Sequence, residues 1–169
     1  MCKIRIELTD GRKMDFELYK DIAPKTVDNF LKLIDEKFFD GLCFHRVIED
    51  FMIQGGGFTF DGKLIPKNAK ETVKGEFHAN GFPNDLKHTA GVISMARTML
   101  PNSASSQFFI CVTDTPHLDG QYAGFGKAID DESVQVAIDI SKVDTTFVGG
   151  YDDVPVTPIV IKTISRIED

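Results

Sequence analysis

Apolar and polar residues alternate at every second position in the first part of the chain. The alternation runs through residues 4–8 and resumes through residues 14–18, on either side of Asp10-Gly11. A period of two indicates a strand with one buried face, and an Asp-Gly pair favours a tight turn between two such strands. The pattern predicts an N-terminal β-hairpin.

The period then changes to that of a helix in two segments. Residues 23–37 (APKTVDNFLKLIDEK) carry apolar side chains at helical spacing, and Pro24 suits the first turn of a helix. Residues 131–143 (DESVQVAIDISKV) show a similar pattern. The expected apolar face is formed by Val27, Phe30, Leu31 and Ile34 in the first helix, and by Val134, Ala137, Ile138 and Ser141 in the second.

Most other apolar runs are short and are bounded by Gly, Pro, Asn or Asp, as in CFHRVI, GVISMA, SQFFICV and TPIVIKTISRI. Many short strands with two helices predict a mainly β fold, a closed β-barrel with helices at its ends that leaves no sheet edge exposed. The polar, Gly-rich residues 59–91 are expected to form a loop excursion. No linker or repeat interrupts the pattern, so residues 1–169 are expected to form one domain.

Composition narrows the class of protein. The chain has 42% hydrophobic and 27% charged residues, typical of a globular protein, and a formal net charge of −7. The excess of acid argues against nucleic acid or an anionic membrane as the main partner. Cys2, Cys43 and Cys111 are scattered, and we expect free thiols in a reducing compartment. With no targeting or membrane-spanning pattern, we expect a cytoplasmic protein.

Three kinds of chemistry find little support in the sequence. The four histidines lack the spacing of a metal site, so we expect no metal and no cofactor. Ser103, Ser105 and Ser106 could serve a hydrolase, but no nucleophile elbow surrounds any of them. The glycines of QGGGF, residues 54–58, are not followed by a lysine at phosphate-loop spacing. A bend that brings the backbone close to a neighbour is the expected role of these glycines.

Polar residues inside apolar strands are the remaining signal. In FHRVIEDFMIQGGGF, residues 44–58, Gln54 stands two positions after the apolar Met52, so both side chains lie on the same face of a strand. Gln107 has the same relation to Phe109, and Arg46 lies on a neighbouring run. If these strands are adjacent, an apolar patch lies beside one arginine and two glutamines. The alternative is purely structural: the arginine pairs with a carboxylate and the glutamines satisfy backbone groups.

Three long motifs, FHRVIEDFMIQGGGF, GVISMART...SASSQFFI and HLDGQYAGFGKAI, resemble the cyclophilin family of peptidyl-prolyl cis-trans isomerases. The resemblance extends over nearly the whole chain, in the family's order, and is greatest to bacterial-type members. It implies a closed eight-stranded antiparallel β-barrel capped by two α-helices, with the site on the outer face of the barrel. It also implies rotation about X-Pro bonds as the reaction.

The resemblance assigns a role to each residue of the expected site. Arg46 matches the catalytic arginine, and Gln54, Phe51 and Phe109 complete the catalytic set. The substrate-binding residues implied are His45 at the rim, Met52 and Leu118 in the proline pocket, Gln107 beside it, and Ala96, Arg97, Thr98, His117 and Tyr122 around it. Main-chain groups at Ala96 and Arg97 would pair with the backbone of the peptide.

The chain departs from the eukaryotic pattern of the family at three places. Arg97-Thr98 replaces an Asn-Ala pair, His117 replaces a tryptophan, and Tyr122 replaces a histidine. Because His117 lacks the indole N–H and ring area, we expect reduced affinity for cyclosporin. We expect a monomer that acts on proline-containing peptides and on folded or unfolded client proteins. The alternatives are a proline-peptide binding module without turnover, and a hydrolase that uses a loop serine.

Overall fold

A computed structural model describes residues 2–167, which form two α-helices and twelve β-strands. The helices are α1 (Pro24–Asp35) and α2 (Asp131–Ser141). The strands are β1 (Cys2–Leu8), β2 (Lys13–Leu18), β3 (Arg46–Ile48), β4 (Met52–Gly55), β5 (Phe58–Phe60), β6 (Leu64–Pro66), β7 (Val92–Met95), β8 (Phe108–Cys111), β9 (Gly124–Ala128), β10 (Thr145–Val148), β11 (Tyr151–Pro155) and β12 (Ile161–Ile167).

Eight of the strands form one antiparallel sheet in the order β12-β1-β2-β9-β7-β8-β4-β3, and the other four form the hairpins β5–β6 and β10–β11. The predicted N-terminal hairpin is confirmed. Its strands pair Ile4 with Phe16 and Ile6 with Met14, and all four side chains are fully buried. Gly11 adopts φ +95° at the turn, a conformation that glycine reaches without strain.

The sheet is an open half-barrel, so the prediction of a closed barrel is not supported. Its end strands, β3 and β12, share no ladder of hydrogen bonds in residues 2–167. The chain just before β3 approaches the chain just before β12 through one isolated bridge, between Cys43 and Val160. β3 has only three residues and pairs with β4 alone among the strands of residues 2–167.

Both predicted helices are present and bury the faces that pack on the sheet. In α1 the predicted apolar residues are all buried, and Phe30 contacts the rings of Phe108 and Phe125 at centroid distances of 5.4 and 5.0 Å. In α2 the buried residues are Ser133, Ala137, Ile140 and Ser141. Val134 and Ile138, which were predicted on this face, are only half-buried.

Apolar side chains gather in two separate clusters. The larger is the core between the helices and the sheet, and it includes the fully buried rings of Phe16, Phe30 and Phe108. The smaller comprises Met52, Phe109, Cys111 and Leu118, with Phe51 and Tyr122 among the partly buried residues packed on it. Because side chains alternate across a strand, Phe108 and Phe109 contribute to different clusters. The smaller cluster therefore forms on the side of the sheet away from the core.

Residues 59–91 were predicted to form a loop, and most of them do lack regular structure. They also include strands β5 and β6 and several buried polar groups. Glu76 accepts hydrogen bonds at 2.7 Å from both the N–H and the hydroxyl of Thr26, in the first turn of α1. This carboxylate from a distant segment satisfies a helix end that has no local side-chain cap.

Neither helix of residues 2–167 has the length and apolar character needed to cross a membrane. The three cysteines are free thiols, as predicted. Cys43 and Cys111 are buried, and burial raises the pKa of each thiol to about 11. A thiol held in this way stays protonated near neutral pH and is a poor nucleophile.

Candidate active site

A row of paired residues crosses the sheet on the side of the smaller cluster. Arg46 pairs with Gln54, Gln54 with Phe109, and Phe109 with Ser94, through strands β3, β4, β8 and β7. Directly paired residues in neighbouring strands point to the same face of a sheet. The predicted adjacency of the arginine, a glutamine and the aromatic residue is therefore confirmed, and it is set by strand register.

A concave pocket of about 130 Å³ opens over this row. It is lined by Arg46, Phe51, Met52, Gln54, Ala96, Arg97, Phe109, Leu118 and Tyr122. All of these residues belong to the site predicted from the sequence. They come from segments that are far apart in the chain, and the fold brings them to a single opening.

The floor and walls of the pocket are apolar. Phe109 is only 5% exposed, and the ring of Tyr122 meets it edge-on at a centroid distance of 5.6 Å. The ring of His117 packs on Phe51 at 5.7 Å, so His117 reaches the pocket through Phe51 and is not itself part of the lining. A preformed pocket with rigid aromatic walls suits a small apolar ring.

A chain of polar side chains borders the apolar floor. Nη1 of Arg46 donates a long hydrogen bond of 3.4 Å to Oε1 of Gln54, and Nε2 of Gln54 donates one of 3.0 Å to Oε1 of Gln107. Gly57 leaves room for this arrangement, since a Cβ there would come within 2.5 Å of Cγ of Gln107. The glycines of QGGGF thus allow a close approach, as predicted.

Arg97 is held much more firmly than Arg46. Its Nε and Nη2 donate to the carbonyl of Gln121 at 3.2 and 2.6 Å, and its Nη1 donates to the carbonyl of Thr98 at 3.0 Å. The guanidinium also lies 4.6 Å from the ring centroid of Phe77 and 4.7 Å from that of Tyr122. These contacts keep a positive charge in one place at the pocket.

Thr98 and Gln107 lie beside the pocket, in an adjoining groove of about 210 Å³ that also includes Ser103 and Ser105. The hydroxyl of Ser103 accepts hydrogen bonds from the N–H of Thr98 at 2.9 Å and from its hydroxyl at 2.8 Å. The N–H of Ala96 donates to the carbonyl of Gln107 at 3.0 Å. The predicted main-chain pairing with a peptide at Ala96 stays a prediction.

The structure does not place His45 at the rim of the pocket. The residue is 4% exposed and its ring packs on Phe58 at a centroid distance of 4.5 Å. Because neighbouring residues of an extended chain point to opposite sides, His45 lies inside while Arg46 lies on the pocket. Burial, helped by the charge of Arg46, lowers the pKa of His45 to about 4.

A buried network beneath Phe109 was not predicted from the sequence. Nε2 of His88 lies 2.9 Å from the hydroxyl of Ser94, and its Nδ1 lies 3.2 Å from Oδ1 of Asp119. The ring of His88 stacks on Phe109 with planes 18° apart and centroids 6.0 Å apart. Ser94, a polar residue in the otherwise apolar run GVISMA, was the available signal in the sequence.

This Ser-His-Asp set does not support the hydrolase alternative. Ser94 has no exposed surface and His88 is 1% exposed, so no substrate reaches the hydroxyl. Two of the loop serines hydrogen-bond to the backbone: Ser106 is buried and donates to the carbonyl of Gly56 at 2.7 Å, and Ser103 donates to the carbonyl of Leu100 at 2.7 Å. The network instead supports the floor of the pocket from below. Residues 2–167 contain no cluster of three or more His, Cys, Asp or Glu side chains suited to a metal ion.

Comparison with known proteins places the chain in a family. Residues 3–166 match the family described as cyclophilin type peptidyl-prolyl cis-trans isomerase/CLD. Peptidyl-prolyl cis-trans isomerase A of Dickeya dadantii is 42% identical over 95% of this chain and 82% of its own length. Peptidyl-prolyl cis-trans isomerase B of Escherichia coli is 40% identical over 89% of this chain and 91% of its own.

Solved structures agree with the sequence comparisons. A cyclophilin type peptidyl-prolyl cis-trans isomerase of Cryptosporidium parvum superposes with a TM-score of 0.78 at 28% identity, over 99% of this chain and 98% of that one. A structure of the same protein in the presence of the dipeptide Ala-Pro superposes with a TM-score of 0.77. The fold, the relatives and the pocket together confirm the predicted family. This chain belongs to the cyclophilin-type peptidyl-prolyl cis-trans isomerases.

Proposed function

We propose that Arg46 catalyses rotation about X-Pro peptide bonds by donating a hydrogen bond to the prolyl nitrogen of the twisted amide. The planar amide has partial double-bond character and a rotation barrier of about 18–20 kcal/mol. Uncatalysed exchange therefore takes roughly 10–100 s. Since no covalent bond breaks, the reaction needs neither a nucleophile nor a proton transfer.

The observation that carries this proposal is the position of Arg46 on the same pocket as the apolar floor formed by Phe109, Met52 and Leu118. Burial would hold the proline ring on that floor while the remainder of the peptide turns. Twisting the amide removes resonance and leaves a lone pair on the prolyl nitrogen. A cationic donor aimed at that lone pair binds the twisted form more strongly than either planar form, which is the condition for acceleration.

One such donor would account for only part of a large acceleration, and the pocket would have to supply the remainder. Each tenfold acceleration corresponds to about 1.4 kcal/mol of transition-state stabilisation. A preorganised donor contributes about 2.7–4 kcal/mol when its removal is measured in other enzymes. Pocket shape and pinning of the peptide backbone would supply the rest. Gln54, which contacts both Arg46 and Gln107, would limit the orientations of the guanidinium.

The substrates we propose are proline-containing peptides and folded or unfolded client proteins. In support, the related Cryptosporidium parvum isomerase has been solved in the presence of Ala-Pro. We further propose that cyclosporin binds weakly, because His117 offers less ring area than tryptophan. A monomeric, cytoplasmic protein is part of the same proposal, supported by its free thiols and net charge of −7.

A non-catalytic proline-binding module is the second candidate, because the same pocket would serve it. NMR exchange spectroscopy on a short X-Pro peptide with substoichiometric protein separates the two. An isomerase brings the cis and trans peptide signals into exchange, whereas a binding module shifts them without exchange. Arg46→Ala should still shift the peptide signals and should lose most of the exchange. Near-normal exchange in this variant would contradict the role of Arg46.

A further inference from the structure

The two arginines of the pocket differ from the other arginines of the chain in having no acidic partner. Arg5 pairs with Asp15 at 2.8 Å, Arg12 with Asp10 at 2.7 Å, and Arg166 with Asp35 at 2.6 Å. Within residues 2–167, neither Arg46 nor Arg97 forms an ion pair. Acidic residues outnumber basic ones by 26 to 19 in the whole chain. Arg46 and Arg97 therefore make the pocket a local positive region on an acidic protein.

Arg97 is held in one orientation before any ligand binds, with part of its N–H donors unused. Its three bonds go to neutral backbone carbonyls, and two aromatic rings hold its position. A guanidinium has five N–H donors, so donors remain for a ligand. Because the side chain is preorganised, a ligand that binds it does not incur the entropy cost of ordering an arginine.

The position of Arg97 places its charge within reach of a substrate. The residue lines both the proline pocket and the adjoining groove. Successive residues of an extended peptide are about 3.3–3.6 Å apart, so side chains within two residues of a bound proline lie near the rim of the pocket. Tyr122, against which Arg97 rests, also contacts Phe109 on the pocket floor.

We infer that Arg97 is a specificity-determining residue, which favours peptides with an aspartate or glutamate side chain within two residues of the proline. The inference rests on the proposed function, since it assumes that the proline ring occupies the pocket over Phe109. Arg46 acts on the amide nitrogen, and Arg97 binds the neighbouring carboxylate. The charged pocket would also attract acidic segments from a distance, an effect that falls with added salt.

The test uses pairs of short peptides that differ only by glutamate or glutamine, placed in turn at each of the two positions on either side of the proline. We expect kcat/KM for the glutamate peptide to exceed that for its glutamine partner by about fivefold at one of these positions, the size of one partly exposed ion pair. In Arg97→Gln the ratio should fall to about one. Because the ratio is internal to each variant, a general loss of activity cancels.

Two further variants distinguish direct binding of the peptide carboxylate by Arg97 from an effect of the overall charge of the protein. Arg12→Gln removes the same charge at the β1–β2 turn, away from the pocket, and should keep the wild-type ratio. Arg97→Lys keeps the charge without the planar donors and should retain part of the preference. Raising the salt concentration should reduce the wild-type ratio and leave the turnover of the glutamine peptide nearly constant.

A ratio of one at every position in the wild type, with normal turnover of the glutamine peptides, would overturn the inference and leave the proposed function intact. A preference that survives Arg97→Gln would overturn it also, and would point to Arg46 as the source. If no peptide is turned over, the proposed function fails. In that case the inference is tested by binding alone. The affinities for the glutamate and glutamine peptides are measured from NMR shifts of the pocket amides, and a ratio of one in the wild type would overturn the inference.

Discussion

Arg46 and Arg97 line one pocket, but the protein holds them in opposite ways. Arg46 is exposed and has one long hydrogen bond, to the side chain of Gln54. Arg97 is half-buried, with three hydrogen bonds to carbonyls and contacts to two rings. The firmer hold on Arg97 favours recognition of a neighbouring side chain, because a preorganised group loses little entropy on binding, whereas the hydrogen bond to Gln54 only limits the orientations of Arg46. We therefore expect the first arginine to control rate and the second to control selection.

The largest expected effect tests the role of Arg46 in rate. Arg46→Ala should lower kcat/KM on an X-Pro peptide by about 10²–10³, the loss seen when one preorganised donor is removed. Because the side chain is exposed, its loss should leave the unfolding free energy nearly unchanged. A protease-coupled assay and urea unfolding measure the two quantities. If Arg97→Ala lowers kcat/KM on a neutral peptide as much as Arg46→Ala does, the assignment of rate to Arg46 and of selection to Arg97 is wrong.

The next effect concerns the pH dependence of stability. We attribute it to the buried His45, whereas its exposed neighbour Arg46 is expected to affect rate and not stability. The pKa of His45 is about 4 in the folded protein against an ordinary value of 6.5, so the unfolded chain binds the proton more tightly. Its contribution to stability is therefore complete above pH 6.5 and is lost as the pH falls toward 4. By pH 5 the loss should be about 2 kcal/mol.

Urea unfolding of the wild type and of His45→Phe at pH 7 and pH 5 measures this contribution, because the difference between the two proteins removes the effects of other groups. Turnover by the folded protein should stay constant from pH 6 to pH 8, since the proposed mechanism transfers no proton. If the stability of His45→Phe changed with pH as much as that of the wild type, His45 would not be the responsible group.

A smaller effect concerns the support of Arg46. Gln54→Met keeps the shape of the side chain and removes its hydrogen bonds to Arg46 and Gln107. We expect kcat to fall by about fivefold, which corresponds to one ordinary hydrogen bond of about 1 kcal/mol. Gln107→Met, which spares the contact with Arg46, is the matched control and should have a smaller effect. Equal losses in the two variants would mean that the glutamines act as a unit.

The smallest effect compares the two arginines in stability alone. Arg97→Met removes the bonds to the carbonyls of Gln121 and Thr98 and the contacts with the rings, and should lower the unfolding free energy by about 1 kcal/mol. Arg46→Met should lower it by less than about 0.5 kcal/mol, as for an exposed residue with few contacts. Thermal and urea unfolding of the pair decide the order. The reverse order would show that Arg97 is not the rigid member.

Local patterns in the chain were sufficient to predict both helices, the N-terminal hairpin and the buried face of α1, whereas the buried face of α2 was predicted only in part. The pocket was also accessible to prediction, since alternation along β4 and β8 fixes which side chains share a face. The family resemblance added the roles of residues that no pattern could assign. The predicted set contained every residue of the pocket lining.

What the sequence could not predict depended on contacts between distant segments. The sheet is open because β3 and β12 share no ladder, and only the bridge between Cys43 and Val160 joins the segments before them, which no local period records. The contact of His45, just before β3, with Phe58 of β5 is another pairing of separate segments. The resemblance suggested the rim, and alternation from Arg46 would have suggested the interior.

The sequence by itself determined the family, the strand faces and the list of pocket residues, because local periodicity and motif order are written along the chain. Only the tertiary structure decided that Arg97 is a rigid cation without an acidic partner. Its partners, Phe77 and Gln121, lie 20 and 24 residues away in irregular segments with no period to read. The environment of a side chain is a property of packing, and packing is set by which segments the fold brings together.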